Sequence, residues 1–299
     1  MIKKSILTRR DFVRGTACGA AGIALGLRST PEIIRDLSTS PSRVVLVRDS
    51  EAMDEEGNFN GPVIARMLDD AVTTLLGIED PAACWKEIVR PDDVLGIKTN
   101  VLNYFPTPKE VEQAIQNRVM EVGIAEENIS IRDRGLLRDR IFTGATALIN
   151  ARPLRTHHWS GIGGCIKNYI MFHNRPSDWH EDSCADLGGL WKMPVCAGKT
   201  RLNVLVVLRP MFYGIGPHHY DPQYIWQYKG LLVSTDPVSV DALGVKLLEK
   251  KRKVFFDRPP RGGTSTKHVR LAETRHGIGV ADLGKIDLVK IGWMEDVLI

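Results

Sequence analysis

Short apolar runs, bounded by glycine, proline and charged residues, alternate along the chain with stretches whose apolar positions recur every three to four residues. That alternation predicts strands interleaved with helices. Arg43 to Arg48 reads as a buried strand. From Pro62 to Leu76, the residues Ile64, Met67, Leu68, Ala71, Val72, Leu75 and Leu76 share one helical face, and Gly77 supplies a left-handed cap. Val94 to Lys98 reads as the next strand. Thr107 is then expected as an N-cap, with Pro108 as first helical residue and Glu110 as a capping-box acid, and an apolar stripe from Val111 to Val122 runs to Gly123.

Ile129 to Arg132 is a further strand, and the unbroken apolar run Leu202 to Leu208 fits a central strand covered on both faces. After Gly230 to Val233, Asp236-Pro237 starts a helix through about Leu248, with the basic run Lys250 to Lys253 at its end. Cations there favour the negative end of a helix dipole and a solvated surface. A helix over Val269 to His276, ending at Gly277, and a strand over Ile286 to Ile291 complete the pattern. The expected fold is α/β, a mixed and mainly parallel sheet with helices on both faces, forming a single domain over residues 43–299.

Residues 1–42 read differently. Arg9-Arg10, set in Ser5 to Val13 and followed by the weakly apolar Gly/Ala-rich stretch Gly15 to Leu27, form a twin-arginine export signal, and Leu37 to Arg43 is a polar linker. The implied partner is the twin-arginine translocation machinery, and the implied location is the periplasm or the outer face of the cytoplasmic membrane. The apolar stretch is too short and too rich in glycine for a stable membrane span. This segment also accounts for the basic isoelectric point near 8.8. Its seven Lys/Arg against three acids carry the whole net charge of +4, which leaves 33 of each sign in the remainder. A neutral domain has no field to draw in phosphate backbones, so nucleic acid is excluded as a partner.

Cys18 lies in the signal; Cys84, Cys165, Cys184 and Cys196 belong to the domain. Four cysteines allow three pairings, and the order of residues does not choose among them. Their long, irregular gaps, with no Cys-x-x-Cys, do not fit an iron–sulfur cluster.

Polar segments that follow apolar ones carry the candidate chemistry, because ligands of α/β sheets bind beyond the carboxyl ends of strands. Lys98 and Asn100, in Gly96-Ile97-Lys98-Thr99-Asn100, can hold an anionic group; a solvated lysine and a turn asparagine fit the same residues. The block from Pro153 to Asn168 holds His157, three glycines (Gly161, Gly163, Gly164), Lys167 and Asn168. Glycines there allow backbone amides to approach an anion, and Lys167 adds the countercharge, although a flexible loop would read alike. His157, His173, His180 and Asp241 could ligate a divalent metal, but no tight ligand spacing appears. His218-His219 reads as a surface turn. Asp236 is explained as an N-cap, whereas Asp241, one turn further, is not explained by capping and could face the same crevice.

Together these segments resemble the family catalogued as domain of unknown function 362. The resemblance runs over most of residues 43 to 293. It rests on Gly96 to Asn100, Asp133-Arg134, the Leu154-Arg155-Thr156-His157 block with Lys167-Asn168, Gly216-Pro217, and Ser234 to Val238 with Asp241-Ala242. Departures are Arg155 where the resemblance implies Lys, Val206-Val207 where it implies Asp-Ala, and Ile215-Gly216-Pro217 where it implies Gly-Gly-Pro.

The resulting expectation is an exported small-molecule enzyme with a polar anion- or metal-binding crevice. His157 is its base or ligand, Lys98 and Lys167 hold an anionic substrate, and Asp241 orients His157 or a metal; Asn100, Gly161, Gly163, Gly164, Asn168 and Asp236 line the crevice. The alternatives are a periplasmic binding or accessory protein without turnover, favoured by Val206 in place of Asp, and a member whose site has decayed.

Overall fold

The computed structural model describes residues 41–216, 220–258 and 264–299. Residues 1–40, where an export signal is expected, and His218-His219 lie outside them. Eight strands, β1 (Ser42–Arg48), β2 (Leu95–Lys98), β3 (Ile129–Arg132), β4 (Ala147–His157), β5 (Gly161–Gly163), β6 (Thr200–Met211), β7 (Gly230–Ser234) and β8 (Ile286–Gly292), form one sheet in the order β3-β2-β4-β6-β7-β1-β8, with β5 beside β4. The path from β3 to β6 and the β1–β8 pair are parallel, whereas β7 runs antiparallel to both neighbours and β5 is antiparallel to β4. The sheet is therefore mixed and mainly parallel.

One face carries α1 (Gly61–Leu76), α2 (Pro81–Ile88) and α3 (Lys109–Val122). Their apolar stripes meet Val45, Val47, Ile97, Ile149, Val204 and Val206 in one core. Asn60 caps α1 by accepting from Val63 N, and Gly77 ends it at φ 71°. The start of α3 differs from expectation. Pro108 occupies the cap position without a side-chain bond, while the Thr107 hydroxyl accepts from Asn100 N (2.9 Å) and donates to Ala151 O (3.1 Å). A tertiary bond between the β2 loop and β4 has taken the hydroxyl that the local pattern assigned to the helix.

The other face carries α4 (Arg140–Gly144), α5 (Cys165–Asn168), α6 (Pro237–Phe255) and α7 (Lys267–Thr274). Its core joins Leu148, Leu154, Leu205, Val207, Ile166, Tyr169, Leu243 and Leu247. α6 lies close on the sheet at Gly244, where a Cβ would stand 2.8 Å from Leu205. Among the described residues no helix is long and apolar enough to cross a membrane.

Two strands are missing from the sequence reading, the short β5 and β4, which is central and buried along its whole length. Leu148 and Leu154 face the α5–α6 core, and Asn150 and Arg152 stand between them on that side. Polar residues are thus driven into the interior by the two-residue period of a strand. They are what the site is made of.

Candidate functional site

β2, β4 and β6 each place a polar side chain under α5, and these link into one chain of hydrogen bonds. Asn203 of β6 accepts from Asn150 of β4 (3.0 Å), and the Asn150 amide oxygen accepts from Asn168 of α5 (2.8 Å). The Asn168 oxygen accepts from Lys98 Nζ (3.2 Å). Lys98 also donates to Thr99 O (2.7 Å) and Asp133 Oδ1 (2.6 Å), and is fully buried. Asp133 lies just beyond β3, so the ends of β2 and β3 do supply a charged pair. β4 and β6 run on past that level, however, and the polar cluster sits on the face of the sheet, beneath α5.

Removing both charges from water pushes their pKa values in opposite directions. Burial brings Lys98 down to about 8, with Asp133 opposing and Arg152 and Arg134 adding to the fall. Burial raises Asp133, but the Lys98 ammonium and its hydrogen bond outweigh it and hold the carboxyl below its usual range.

Asp241 enters from α6, and its role differs from the one expected. Both of its oxygens are taken by the start of α5: Oδ1 accepts from Cys165 N at 2.6 Å and Oδ2 from Ile166 N at 2.9 Å. It is the cap of α5 and does not hold His157. Burial pushes its carboxyl up to about 7 against the pull of those two amides. Gly164 is required beside it, since a Cβ would stand 2.2 Å from Oδ1.

Three further cations close the cluster. Arg152 and Arg155 are 4% and 1% exposed, and the Nε of each is buried without a partner. Arg155 donates one bond, to Asn100 Oδ1 at 3.3 Å; Arg152 makes none among the described residues. Lys167, 3% exposed, has Cys184 Sγ at 3.6 Å, and burial brings it down to about 8. The charge of Arg152 acts on Lys98, Asp133, Lys167, Asp241, His157 and His268 alike, which places it at the centre. The Cys184 thiol is carried on a turn in which Asp182, Ser183 and Cys184 all have positive φ (47°, 57° and 62°), a costly backbone for non-glycine residues.

His157 borders this cluster. Its Nδ1 accepts from Trp159 N (3.2 Å), and burial, followed by Lys167 and the two arginines, pushes its pKa far down. The ring is neutral, with its proton on Nε2. His158 stacks on it at 5.0 Å, and Trp159, half exposed, follows at 4.3 Å from His158 and 4.2 Å from His180. A file of rings therefore runs from the cluster to the surface.

Lys98, Asn100, His157, Lys167, Asn168 and Asp241 are thus brought together. Gly161 and Gly163 form the short strand β5 rather than an open loop; Gly163 packs against Arg152 and Arg155, and Gly161 at φ 69° faces Thr264 O. Asp236 stands apart. It accepts from Ser42 at the opposite end of β1, from Val238 N, Ser239 N and Oγ, and from Val280 N, which fully occupies it as a structural cap. His173 packs on Trp179 and its Nδ1 meets the Arg175 backbone. Among the described residues no three His, Cys, Asp or Glu come together as a metal site, so the four metal candidates do not share a centre.

Val206 points into the core under α1 to α3, on the other face of the sheet. A carboxylate at that position would not reach the cluster, so its absence does not weaken the site. Asn150, Arg152, Asn203 and His268 were not singled out from the sequence. The signal for the first three is the alternation of polar with apolar residues inside two long apolar runs; His268 carries no local signal. An open, shallow depression between Glu51 and Pro62 shares no residue with this cluster.

No curated protein and no solved structure matches the chain. The model of a family described as a domain of unknown function (DUF362) matches residues 124–246. That span holds Asp133, Asn150, Arg152, Arg155, His157, Lys167, Asn168 and Asp241, while Lys98 and His268 lie outside it. The span that matches this family model supplies most of the buried polar cluster.

Proposed function

We propose that the protein is a small-molecule enzyme whose substrate presents an anionic group to Arg152, Arg155 and Lys167. One observation carries this reading: two guanidinium groups are buried with unpartnered Nε atoms and no carboxylate bonded to either. An isolated buried charge costs several kcal/mol, and a bound anion offsets that cost. The neutral imidazole of His157 offers an Nε2–H donor, and the Lys167 amine, brought down to about 8 by burial, can give up or take back a proton beside the anion. Twin arginines at Arg9 and Arg10 support export to the periplasm or the outer face of the cytoplasmic membrane by the twin-arginine machinery.

Titrating the full chain with inorganic phosphate while following thermal unfolding tests the site. A ligand that binds only the folded state raises the midpoint with the logarithm of its concentration. The rise is expected for the unaltered protein and lost in Arg155→Met. No rise with any small oxyanion rejects the reading. A rise without turnover of any phosphorylated or carboxylated compound would instead support a binding protein.

A further inference from the structure

Resting on the anion site just proposed, we infer that its occupant is a doubly charged oxyanion and that His268 is the neutral group that hydrogen-bonds it. The charge class follows from what the carboxylates already do. Four buried cations, Lys98, Arg152, Arg155 and Lys167, face two buried carboxylates. Asp133 is committed to Lys98, and both oxygens of Asp241 are committed to the backbone of α5. Neither carboxylate bonds Arg152, Arg155 or Lys167; with all six groups ionised the cluster keeps a surplus of two positive charges, and protonation of Asp241 only enlarges it. A monovalent anion leaves one of these uncompensated in a medium where charge is poorly solvated, whereas a divalent one cancels the surplus. Guanidinium groups in pairs also favour the geometry of an oxyanion, since each presents parallel N–H donors.

His268 enters from a different observation. It sits in the first turn of α7, packed against α6 and the turn over residues 187–192, and is 0% exposed. Neither ring nitrogen has a hydrogen-bond partner. An imidazole always carries at least one N–H, and a buried donor left unmet is costly enough that such atoms are rare in folded proteins. Burial, with Lys167 and Arg152 adding to it, lowers its pKa to about 3, so the ring stays neutral beside the cations. Its N–H donates to an oxyanion without adding a further charge, and its other nitrogen can accept a hydrogen bond while the ring stays neutral. Neutral donors at a charged site set orientation, and the cations set affinity.

The experiment is isothermal titration of the full chain at constant ionic strength with sulfate, inorganic phosphate and malonate, against nitrate and acetate. Divalent anions are expected to bind at least ten-fold more tightly than monovalent ones. His268→Phe is expected to weaken phosphate at least ten-fold, and His268→Gln, which keeps a donor, to weaken it less. If His268→Phe does not fold, the ¹⁵N signals of the imidazole in the unaltered chain, assigned with His268→Gln, are expected to move on addition of phosphate. Nitrate or acetate binding as tightly as sulfate overturns the charge class while leaving the anion site standing. Unchanged phosphate affinity in a folded His268→Phe, or unmoved imidazole signals at phosphate saturation, overturns the role of His268. No binding of any of the five probes overturns the anion site itself, and this inference falls with it.

Discussion

Gly164 and Asp241 are in such close contact that a Cβ on the glycine would overlap the carboxylate, 2.2 Å from Oδ1 and 2.5 Å from Cγ. The glycine is what lets α6 deliver an acid to the first amides of α5. Gly164→Ala is expected to lower stability by about 1–3 kcal/mol, the range for overpacking a filled interior. It is also expected to weaken anion binding by displacing Lys167. Urea unfolding reads the first effect and phosphate titration the second. Wild-type values for both would show that the contact is tolerant.

Asp241 makes a pH prediction of opposite sign to that of an ordinary salt-bridged acid. Its carboxyl is held up to about 7, above the usual value of 3.8. A group raised in the folded state contributes stability that is fully present below the unfolded pKa and is lost as pH rises through the folded one. The unaltered protein should lose stability between about pH 4 and pH 7 relative to Asp241→Asn. Parallel urea curves for the two proteins across that window would contradict the prediction.

Anion affinity should fall above about pH 8. Lys98 and Lys167 are both held near that value by burial, and a bound anion favours their charged forms. Facing them are Asp133, Arg152, Arg155, His157, Cys184, Asp241 and His268. Burial lowers both arginines, but a guanidinium keeps its proton in proteins; burial also holds the two imidazoles neutral and pushes the Cys184 thiol up, which leaves the two lysines and the tail of Asp241 to titrate. Binding at pH 8 is expected to take up protons, measurable as a dependence of the titration heat on the ionisation heat of the buffer. Equal heats in phosphate-free buffers of different ionisation enthalpy would rule out this linkage.

The four domain cysteines are buried and unpaired: Cys84, Cys165, Cys184 and Cys196. A reducing agent should leave the thermal midpoint unchanged. A thiol reagent should react with these four only after denaturation. A lower midpoint on reduction would reveal a disulfide.

Replacement of Arg9 and Arg10 by lysine is expected to hold the protein in the cytoplasm. Fractionation of cells producing that variant is the measurement; normal export would remove the signal.

β1, α1, β2, β6 and the Asp236-Pro237 start of α6 were legible because each is governed by its own periodicity or cap. β4 was not. Asn150, Arg152, Pro153 and Arg155 interrupt its apolar run, and the segment reads as a loop until a sheet is built around it. The polar residues that obscure the strand are those that form the site. Lys98, Lys167, Asn168 and Asp241 were visible as charged or amide groups after apolar segments, but the work of Asp241 could not be seen locally: its partners are 75 and 76 residues away. Thr107 and Asp236 show the two outcomes of a local rule. The cap at Asp236 survives because Val238 and Ser239 are its nearest donors, and the cap at Thr107 yields to Asn100 and Ala151, which only the folded sheet brings near.

The position of β1 has a consequence for how the polypeptide is made. It pairs with β7 and β8, and Arg48 meets its partners near Tyr228 about 180 residues later. At a ribosomal rate of about 5–20 residues per second, the nascent strand waits roughly 10–40 seconds for them. α1 can cover Val45 and Val47 early, but Val44 and Leu46 face a layer not yet synthesised, and both edges stay open. An apolar strand with two bare edges is a template for intermolecular pairing. The first strand translated is among the last to be satisfied, and a chaperone that holds this segment until the carboxyl-terminal third emerges would raise the yield of folded protein.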